Sequence, residues 1–487
     1  MGDGIIILGL GPGDPGQLTR QAWQTLEQAQ EIYLRTRQHP VVDGLPESLR
    51  VHSFDDLYAG GESFDAVYAQ IIERVLALGR RPQGVVYAVP GHPYVAETTA
   101  PEIVRRARQE GLPVRVIEGL SFLEPTLTAL ELDPFDGIVL VDALDLAAGH
   151  TPSFPTHAPA LVAQLHSRAV AADVKLTLMA LYPDEHPVKL VHAAGTRHEQ
   201  VEHLALYEID RSLRVGLLTS LYVPPLGAST SFEALQEVVA HLRAPQGGCP
   251  WDLEQTHRSL RSSLLEETYE ALAAIDAEDI DGMREEFGDL LLVILMQTQI
   301  ATDDGEFNAA EVLHGIHTKI VHRHPHVFGD TQVAGVAGVL QNWEKLKAQE
   351  RKANGKTEAS LLDGVGSALP ALMQAEQYQQ RAARVGFDWP DLSGVIAKLE
   401  EELREVHAAE GDEERQGEIG DLLFAVVNLA RWYKVDPESA LRECNRRFRW
   451  RFSYIERAAR QQGRAVSELS LDEMESLWQE AKRQATS

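Results

Sequence analysis

The chain has 487 residues, with 45 lysines and arginines against 73 aspartates and glutamates, for a formal net charge of −28. That length suits two or three domains, and 44% hydrophobic residues exclude disorder over most of it. The acidic balance, with no Lys/Arg-rich block, excludes a sequence-independent grip on nucleic acid or anionic lipid, since either needs a positive field. Two cysteines, Cys249 and Cys444, are too few for a disulfide framework. The N-terminus lacks the basic and long apolar regions of a signal peptide. The longest apolar run, Leu290 to Met296, is far below the ~20 residues that cross a bilayer. The expectation is a soluble cytoplasmic protein with neither nucleic acid nor membrane as partner.

In chain order, Gly4 to Leu10 reads as a β-branched strand ending in glycines, and Gln17 to Gln30 as a helix. Gly84 to Val89 is an apolar strand ending at Pro90-Gly91, followed by a helical stretch to Glu110 and a strand over Pro113 to Ile117. Further strands are predicted at Gly137 to Val141, Val174 to Ala180, Leu204 to Ile209 and Val215 to Ser220. Strands interleaved with helices imply an α/β domain with a largely parallel sheet. Val223-Pro224-Pro225-Leu226-Gly227 breaks this rhythm ahead of Ser229-Thr230-Ser231, a helix N-cap cluster. Beyond it the pattern is helical, and the polar stretch Glu350 to Ser360 reads as a linker. The expected domains are therefore 1–226, α/β, then two all-α repeats, 227–355 and 356–487.

The helical half carries an internal duplication. Leu265-Glu266-Glu267-Thr268-Tyr269-Glu270 followed by Glu286-Phe287-Gly288-Asp289-Leu290-Leu291 matches Glu400-Glu401-Glu402-Leu403-Arg404-Glu405 followed by Glu418-Ile419-Gly420-Asp421-Leu422-Leu423. Glu267 and Glu270 stand at i and i+3, as do Glu286 and Asp289, so each pair lies on one helix face. Two antiparallel helices would then converge four carboxylates, with Glu402, Glu405, Glu418 and Asp421 the second set. Such a set needs a cation, and oxygen-only ligands select a hard divalent ion, Mg²⁺ first and Mn²⁺ next. A solvated acidic face is the simpler reading of either string alone. Against it, each aspartate leads into an apolar run, Leu290 to Met296 or Leu422 to Val427, that is expected to be buried all round. Basic pairs at i, i+4 follow in each copy, Lys319 with Arg323 and Arg447 with Arg451, suited to polyphosphate oxygens. Lys398 falls one turn before Glu402, where the first copy has Ser263. His322, His324 and His326 do not form a zinc set, because Pro325 breaks the helix between them.

From about Phe232 to Lys482 the chain resembles the MazG family of nucleoside triphosphate pyrophosphohydrolases, through Gly248-Cys249-Pro250-Trp251-Asp252, the two acidic elements, Arg323-His324-Pro325-His326-Val327-Phe328, Val385-Gly386-Phe387-Asp388-Trp389 and Trp478-Gln479. The resemblance implies an all-α fold, a Mg²⁺-dependent site, dimerisation through the helical half, and the reaction NTP + H₂O → NMP + pyrophosphate. It implies metal ligands at Glu402, Glu405, Glu418 and Asp421 and at Glu267, Glu270, Glu286 and Asp289. Glu401 or Glu266 would be the base, and Lys398, Arg447, Arg451, Lys319, Arg323 and Trp478 the substrate contacts. The second copy is expected to be the better-equipped site.

In the first part, Gly9-Leu10-Gly11-Pro12-Gly13-Asp14-Pro15 closes the first strand without the spacing of a dinucleotide or phosphate loop. With Tyr87-Ala88-Val89-Pro90-Gly91-His92-Pro93, Ala96 and Ile117-Glu118-Gly119-Leu120-Ser121-Phe122, residues 1 to about 225 resemble the tetrapyrrole methylase family. That resemblance implies two α/β lobes and S-adenosylmethionine held by Gly9, Gly11, Gly13, Asp14, Gly91, Ala96 and Ser121. His92 stands where the family often has aspartate, a departure that leaves methyl transfer unassigned. Three readings stay open: a pyrophosphohydrolase, a methyltransferase whose helical half dimerises it, and a ligand-sensing domain that adjusts the hydrolase.

Overall fold

The computed structural model describes residues 4–58, 63–353 and 360–484. The chain divides into two compact units, Met1–Glu254 and Gln255–Ser487.

The first lobe of the first unit contains β1 (Ile5–Gly9), α1 (Arg20–Gln28), β2 (Glu31–Leu34), β3 (Arg50–Ser53), α2 (Asp55–Tyr58), α3 (Phe64–Gly79), β4 (Val85–Val89), α4 (Thr99–Gln109) and β5 (Val114–Ile117). The strands form an all-parallel sheet in the order β3-β2-β4-β1-β5. Alternation splits each strand between two cores. Ile5, Ile7, Val85 and Tyr87 pack with Ile71, Val75 and Ile103 of α3 and α4, while Leu8, Val86 and Ala88 pack with Ala22 and Leu26 of α1 on the other face. Burial on both faces explains why β1 and β4 read as unbroken apolar runs.

The second lobe follows with α5 (Leu123–Leu130), β6 (Val139–Asp142), α6 (Ala143–Ala147), β7 (Ala160–Ala163), α7 (Arg168–Met179), β8 (Pro187–His192), β9 (Gln200–Ala205) and β10 (Thr219–Val223). Its sheet runs β6-β7-β10-β8-β9 and is mainly antiparallel; only β6 and β7 pair in parallel. Here the sequence expectation needs correction. Val174 to Ala180 is not a strand but the end of α7, capped at Ser167 and burying Ala171, Val174, Thr177 and Leu178 at helical spacing. Leu204 to Ile209 is strand only as far as Ala205, after which a 3₁₀ turn begins. The expected Val215 to Ser220 strand starts at Thr219. β2, β3, β7 and β8 were not anticipated, being short or flanked by polar residues.

The unit ends with α8 (Phe232–Leu242) and α9 (Pro250–Leu253). Ser231 caps α8, accepting from the Ala234 amide at 3.1 Å. The stretch before α8 is stitched to the second lobe, Thr156 Oγ1 donating to the Thr230 carbonyl at 2.8 Å and His157 Nδ1 lying 2.6 Å from Ser231 Oγ.

The second unit is helical: α10 (Arg261–Asp276), α11 (Ile280–Asp303), α12 (Ala309–Arg323), α13 (Pro325–Phe328), α14 (Gly335–Ala353), α15 (Ala371–Arg384), α16 (Leu392–Ala408), α17 (Asp412–Trp432), α18 (Pro437–Gln461) and α19 (Leu471–Gln484). The linker expected over Glu350 to Ser360 begins inside α14, and its residues 354–359 lie outside the described residues. Short connections make α10–α11 and α16–α17 helical hairpins. The apolar runs of α11 and α17 are not buried all round, contrary to expectation. Val293, Leu295, Met296 and Val427 are buried, but Ile294 is 44% exposed and Phe424 and Val426 each 45%. A hairpin covers only one stripe of such a helix, so the opposite stripe faces outward.

Candidate functional site

In the first repeat, α10 brings Glu267 and Glu270 to one face and α11 brings Glu286 opposite. One carboxylate oxygen from each lies within 4.8 Å of the others. Like charges so close resist ionisation. Partial desolvation and then Asp289, Glu270 and Glu266 hold the Glu267 carboxyl above its ordinary range. Desolvation, Glu270, Glu285, Glu267 and Asp289 do the same for Glu286. Asp289 therefore adds to the field, but its oxygens are not in the close set; it is exposed, one turn past Glu286. Glu266 is exposed on α10.

The second repeat repeats this geometry with Glu402, Glu405 and Glu418, again within 4.8 Å, and again with exposed Asp421 outside the close set. Glu418 is pushed up by desolvation, then by Glu405, Asp421, Glu402 and Glu414. Two features distinguish this copy. Glu402 is only 4% exposed, and its Oε2 has no hydrogen-bond partner. Its Oε1 is held by Lys398, whose Nζ sits 2.6 Å away and also donates to Glu401 Oε1 at 2.8 Å. The Lys398 ammonium draws Glu401 below the ordinary carboxylate range, while the two glutamates raise Lys398. A buried carboxylate oxygen left unpaired is costly. Converging oxygens with one orphan lone pair suit a hard divalent ion, so the residues present fit Mg²⁺ or Mn²⁺.

The basic residues predicted to meet substrate divide unevenly. Lys319 is exposed on α12. Arg323 is only 15% exposed and is held by Glu350 of α14, Nη2 to Oε2 at 2.6 Å; its guanidinium also lies 5.9 Å from the centroid of the Trp343 ring. In the second repeat Arg447 pairs with Glu443 at 3.0 Å, and Arg451 lies 5.4 Å from the Trp478 centroid, which packs against Phe448. Trp343 was missed in the sequence. It lies 135 residues before Trp478, the same offset that relates the first acidic elements, and that periodicity was the signal for it.

In the first unit the chain leaves β1 toward β2 on one side and β4 toward β5 on the other, so their carboxyl ends flank a topological switch point, where α/β sheets open a crevice. The two glycine motifs meet there. The Gly91 amide donates to the Gly11 carbonyl at 2.8 Å and the Gly11 amide to the Gly91 carbonyl at 3.2 Å. Gly11 and Gly91 have φ of 73° and 67°; a Cβ at Gly91 would meet nothing nearer than Ser121 Cα at 4.0 Å, so its backbone is open to a ligand. Gly13 sits against Pro40 and Thr196, and a Cβ on Gly9 would strike the Gly119 amide. Ala96 is exposed with φ 52°. Asp14 and Ser121 are engaged locally: Asp14 accepts from the Gly16 amide at 2.7 Å, and Ser121 Oγ donates to Glu124 at 2.6 Å. Beside this crevice, Arg35 and Glu97 form an ion pair at 2.5 Å, with the Glu97 side chain 2% exposed. Buried His39 is lowered to about 4 by its burial and by Arg35. Neither Arg35 nor His39 was anticipated.

A two-lobed α/β domain with a glycine-lined crevice, joined to duplicated helical hairpins that each gather three glutamates, defines a methylase-type domain fused to a pyrophosphohydrolase-type helical unit. The tetrapyrrole (corrin/porphyrin) methylase family matches residues 4–210, and the MazG nucleotide pyrophosphohydrolase domain matches residues 255–328. The chain is 42% identical over 487 residues to the uncharacterized protein YabN of Bacillus subtilis, covering 98% of each. It is 42% identical to the nucleoside triphosphate pyrophosphohydrolase/pyrophosphatase MazG of Thermotoga maritima and 41% to the nucleoside triphosphate pyrophosphohydrolase of Escherichia coli K12. Each match covers 52% of this chain and 97% of the relative. The chain belongs to the MazG family, with a tetrapyrrole methylase domain ahead of the helical half.

Proposed function

We propose that the helical unit hydrolyses nucleoside triphosphates to the monophosphate and pyrophosphate, chiefly at the second repeat. The observation that carries this reading is the cluster of Glu402, Glu405 and Glu418 with the buried, unpartnered Oε2 of Glu402. Glu402, Glu405, Glu418 and Asp421 would hold Mg²⁺ or Mn²⁺, and Glu267, Glu270, Glu286 and Asp289 would do so in the first repeat. The ion supplies positive charge for the phosphate oxygens and a more acidic water. Arg447 and Arg451 bind the triphosphate, and Trp478 offers a ring face beside it. Lys398 joins them by exchanging its glutamates for phosphate oxygens. That exchange releases Glu401 from the ammonium that lowers it, so the same movement that binds substrate restores Glu401 as a base for the attacking water. In the first repeat Lys319, Arg323 and Glu266 have the corresponding duties.

The exposed stripes of α11 and α17 support homodimerisation through the helical half. The protein is read as cytoplasmic, and no helix among the described residues is long and apolar enough to cross a membrane. For the first unit, the open backbone at Gly91 beside Gly11 supports S-adenosylmethionine as ligand, with methyl transfer left to experiment. The deciding assay supplies Mg²⁺ and a panel of triphosphates and identifies the first product. Pyrophosphate is expected, lost in the E402Q/E267Q double variant; orthophosphate as first product would refute the reading.

A further inference from the structure

The duplication extends beyond the acidic elements. Arg323 and Arg451 occupy matching places on α12 and α18, whose N-caps Asn308 and Asp436 stand at the same offset of 128. Trp343 and Trp478 match on α14 and α19, and each arginine lies over its tryptophan, at 5.9 Å and 5.4 Å. The copies diverge one step further along. In the first, α14 continues two turns past Trp343 and places Glu350 on the guanidinium. Arg323 Nη2 donates to Oε2 at 2.6 Å and Nε at 3.2 Å, with His322 Nδ1 3.0 Å from Oε1. Arg323 and His322 hold the Glu350 carboxyl below its ordinary range, so it is a full anion. In the second, no carboxylate meets Arg451 among the described residues.

A carboxylate seated on an arginine in fork geometry occupies the donors that a phosphate would use. We propose that Glu350 is an internal substitute for a substrate phosphate, which keeps Arg323 occupied and holds the first repeat closed to triphosphate while the second repeat works. This rests on the pyrophosphohydrolase reading above. It assigns the inequality of the repeats to a contact that can be opened, rather than to loss of the first carboxylate cluster, whose geometry matches the second.

The test is calorimetric titration of the full chain, in Mn²⁺, with a triphosphate whose α,β-bridge is methylene and cannot be hydrolysed. One tight and one weaker nucleotide per chain are expected for the native protein and two tight ones for Glu350→Gln. If the carboxylate fills the arginine nine-tenths of the time, its removal tightens the first site about tenfold. In an E402Q background, the same substitution should raise pyrophosphate release by a similar factor. Two equally tight nucleotides per native chain, or one tight and one weaker in a folded E350Q protein, would overturn the proposal. The spread between the two native affinities decides even should E350Q fail to fold. No nucleotide bound to the native chain would instead bring down the hydrolase reading beneath it.

Discussion

Lys398 is a cation that the second repeat carries within itself. Its ammonium bridges Glu401 and Glu402, where the first repeat has a serine at residue 263. An ion entering the second cluster can take the unpartnered Oε2 of Glu402, but it meets an ammonium already seated on Oε1 of the same carboxylate. A partly exposed pair is worth ~1 kcal/mol or less, so Lys398→Ser should tighten Mn²⁺ binding by no more than about fivefold. If Lys398 binds phosphate as proposed, the same change should raise KM for the triphosphate while metal affinity improves; substrate and metal affinity moving in the same direction would refute the role given to Lys398. Glu402→Gln tests the cluster itself. Loss of groups that only support a metal ligand costs 10–100-fold, so losing a ligand should lower pyrophosphate release at the second repeat by ~100-fold or more. The spacing of these glutamates was legible in the sequence because i, i+3 positions share a helix face whatever surrounds them. The Lys398 bridge and the orphan Oε2 were not, since both depend on rotamers and on what covers Glu402.

Within the hairpins, crowded carboxylates make stability depend on protons. Glu267, Glu286 and Glu418 sit above the ordinary range, so the folded chain binds protons there more tightly than the unfolded one. That contribution is complete below the unfolded-state values and is lost as pH rises through the raised ones. Metal-free protein should therefore melt higher at about pH 5 than at about pH 7, and saturating Mn²⁺ should reduce the difference. A melt that falls on acidification would show other groups dominating. Asp388 acts in the opposite sense. Lowered chiefly by Arg431, which it meets at 2.5 Å and 2.9 Å, it ties the loop before α16 to the end of α17. Its support is present above the ordinary aspartate range and lost as pH falls through its depressed value. Asp388→Asn should cost ~1–3 kcal/mol in denaturant melts, the usual toll for a charged hydrogen-bonded partner removed. The strands with apolar runs, β1 and β4, were readable because burial on both faces leaves no polar gaps. Val174 to Ala180 was misread because a short apolar stretch suits strand or helix equally, and only the cap at Ser167 decides. The outward stripes of α11 and α17 were unreadable, because which side of an apolar helix is covered is a property of its neighbours.

For the whole molecule, the two units make separable predictions. Gly91→Val forces a branched side chain to φ 67° and fills the opening toward Ser121; strain there is of order 1–3 kcal/mol. Calorimetry should show S-adenosylmethionine binding lost in this variant while pyrophosphate release is retained. Loss of both would mean the first unit is needed for the second to fold or work. Aspartate placed at Ile294 and Phe424, both outward-facing, should halve the mass found by light scattering if those stripes bury each other in a homodimer. The α/β-to-helical change could be read from the chain because composition and periodicity change together near residue 227, although α8 and α9, which follow it, group with the first of the two units rather than with the helical repeats. The mainly antiparallel second sheet could not, since pairing direction leaves little trace in strands of four to six residues.

The ammonium bridging Glu401 and Glu402 also bears on the order in which ions are loaded. A newly made chain in a metal-poor setting already has its second cluster partly neutralised, whereas among the described residues no cation meets the first, which has protons for relief. Scarce manganese should therefore settle at the first repeat before the second, the reverse of the order in which the two are expected to turn over substrate.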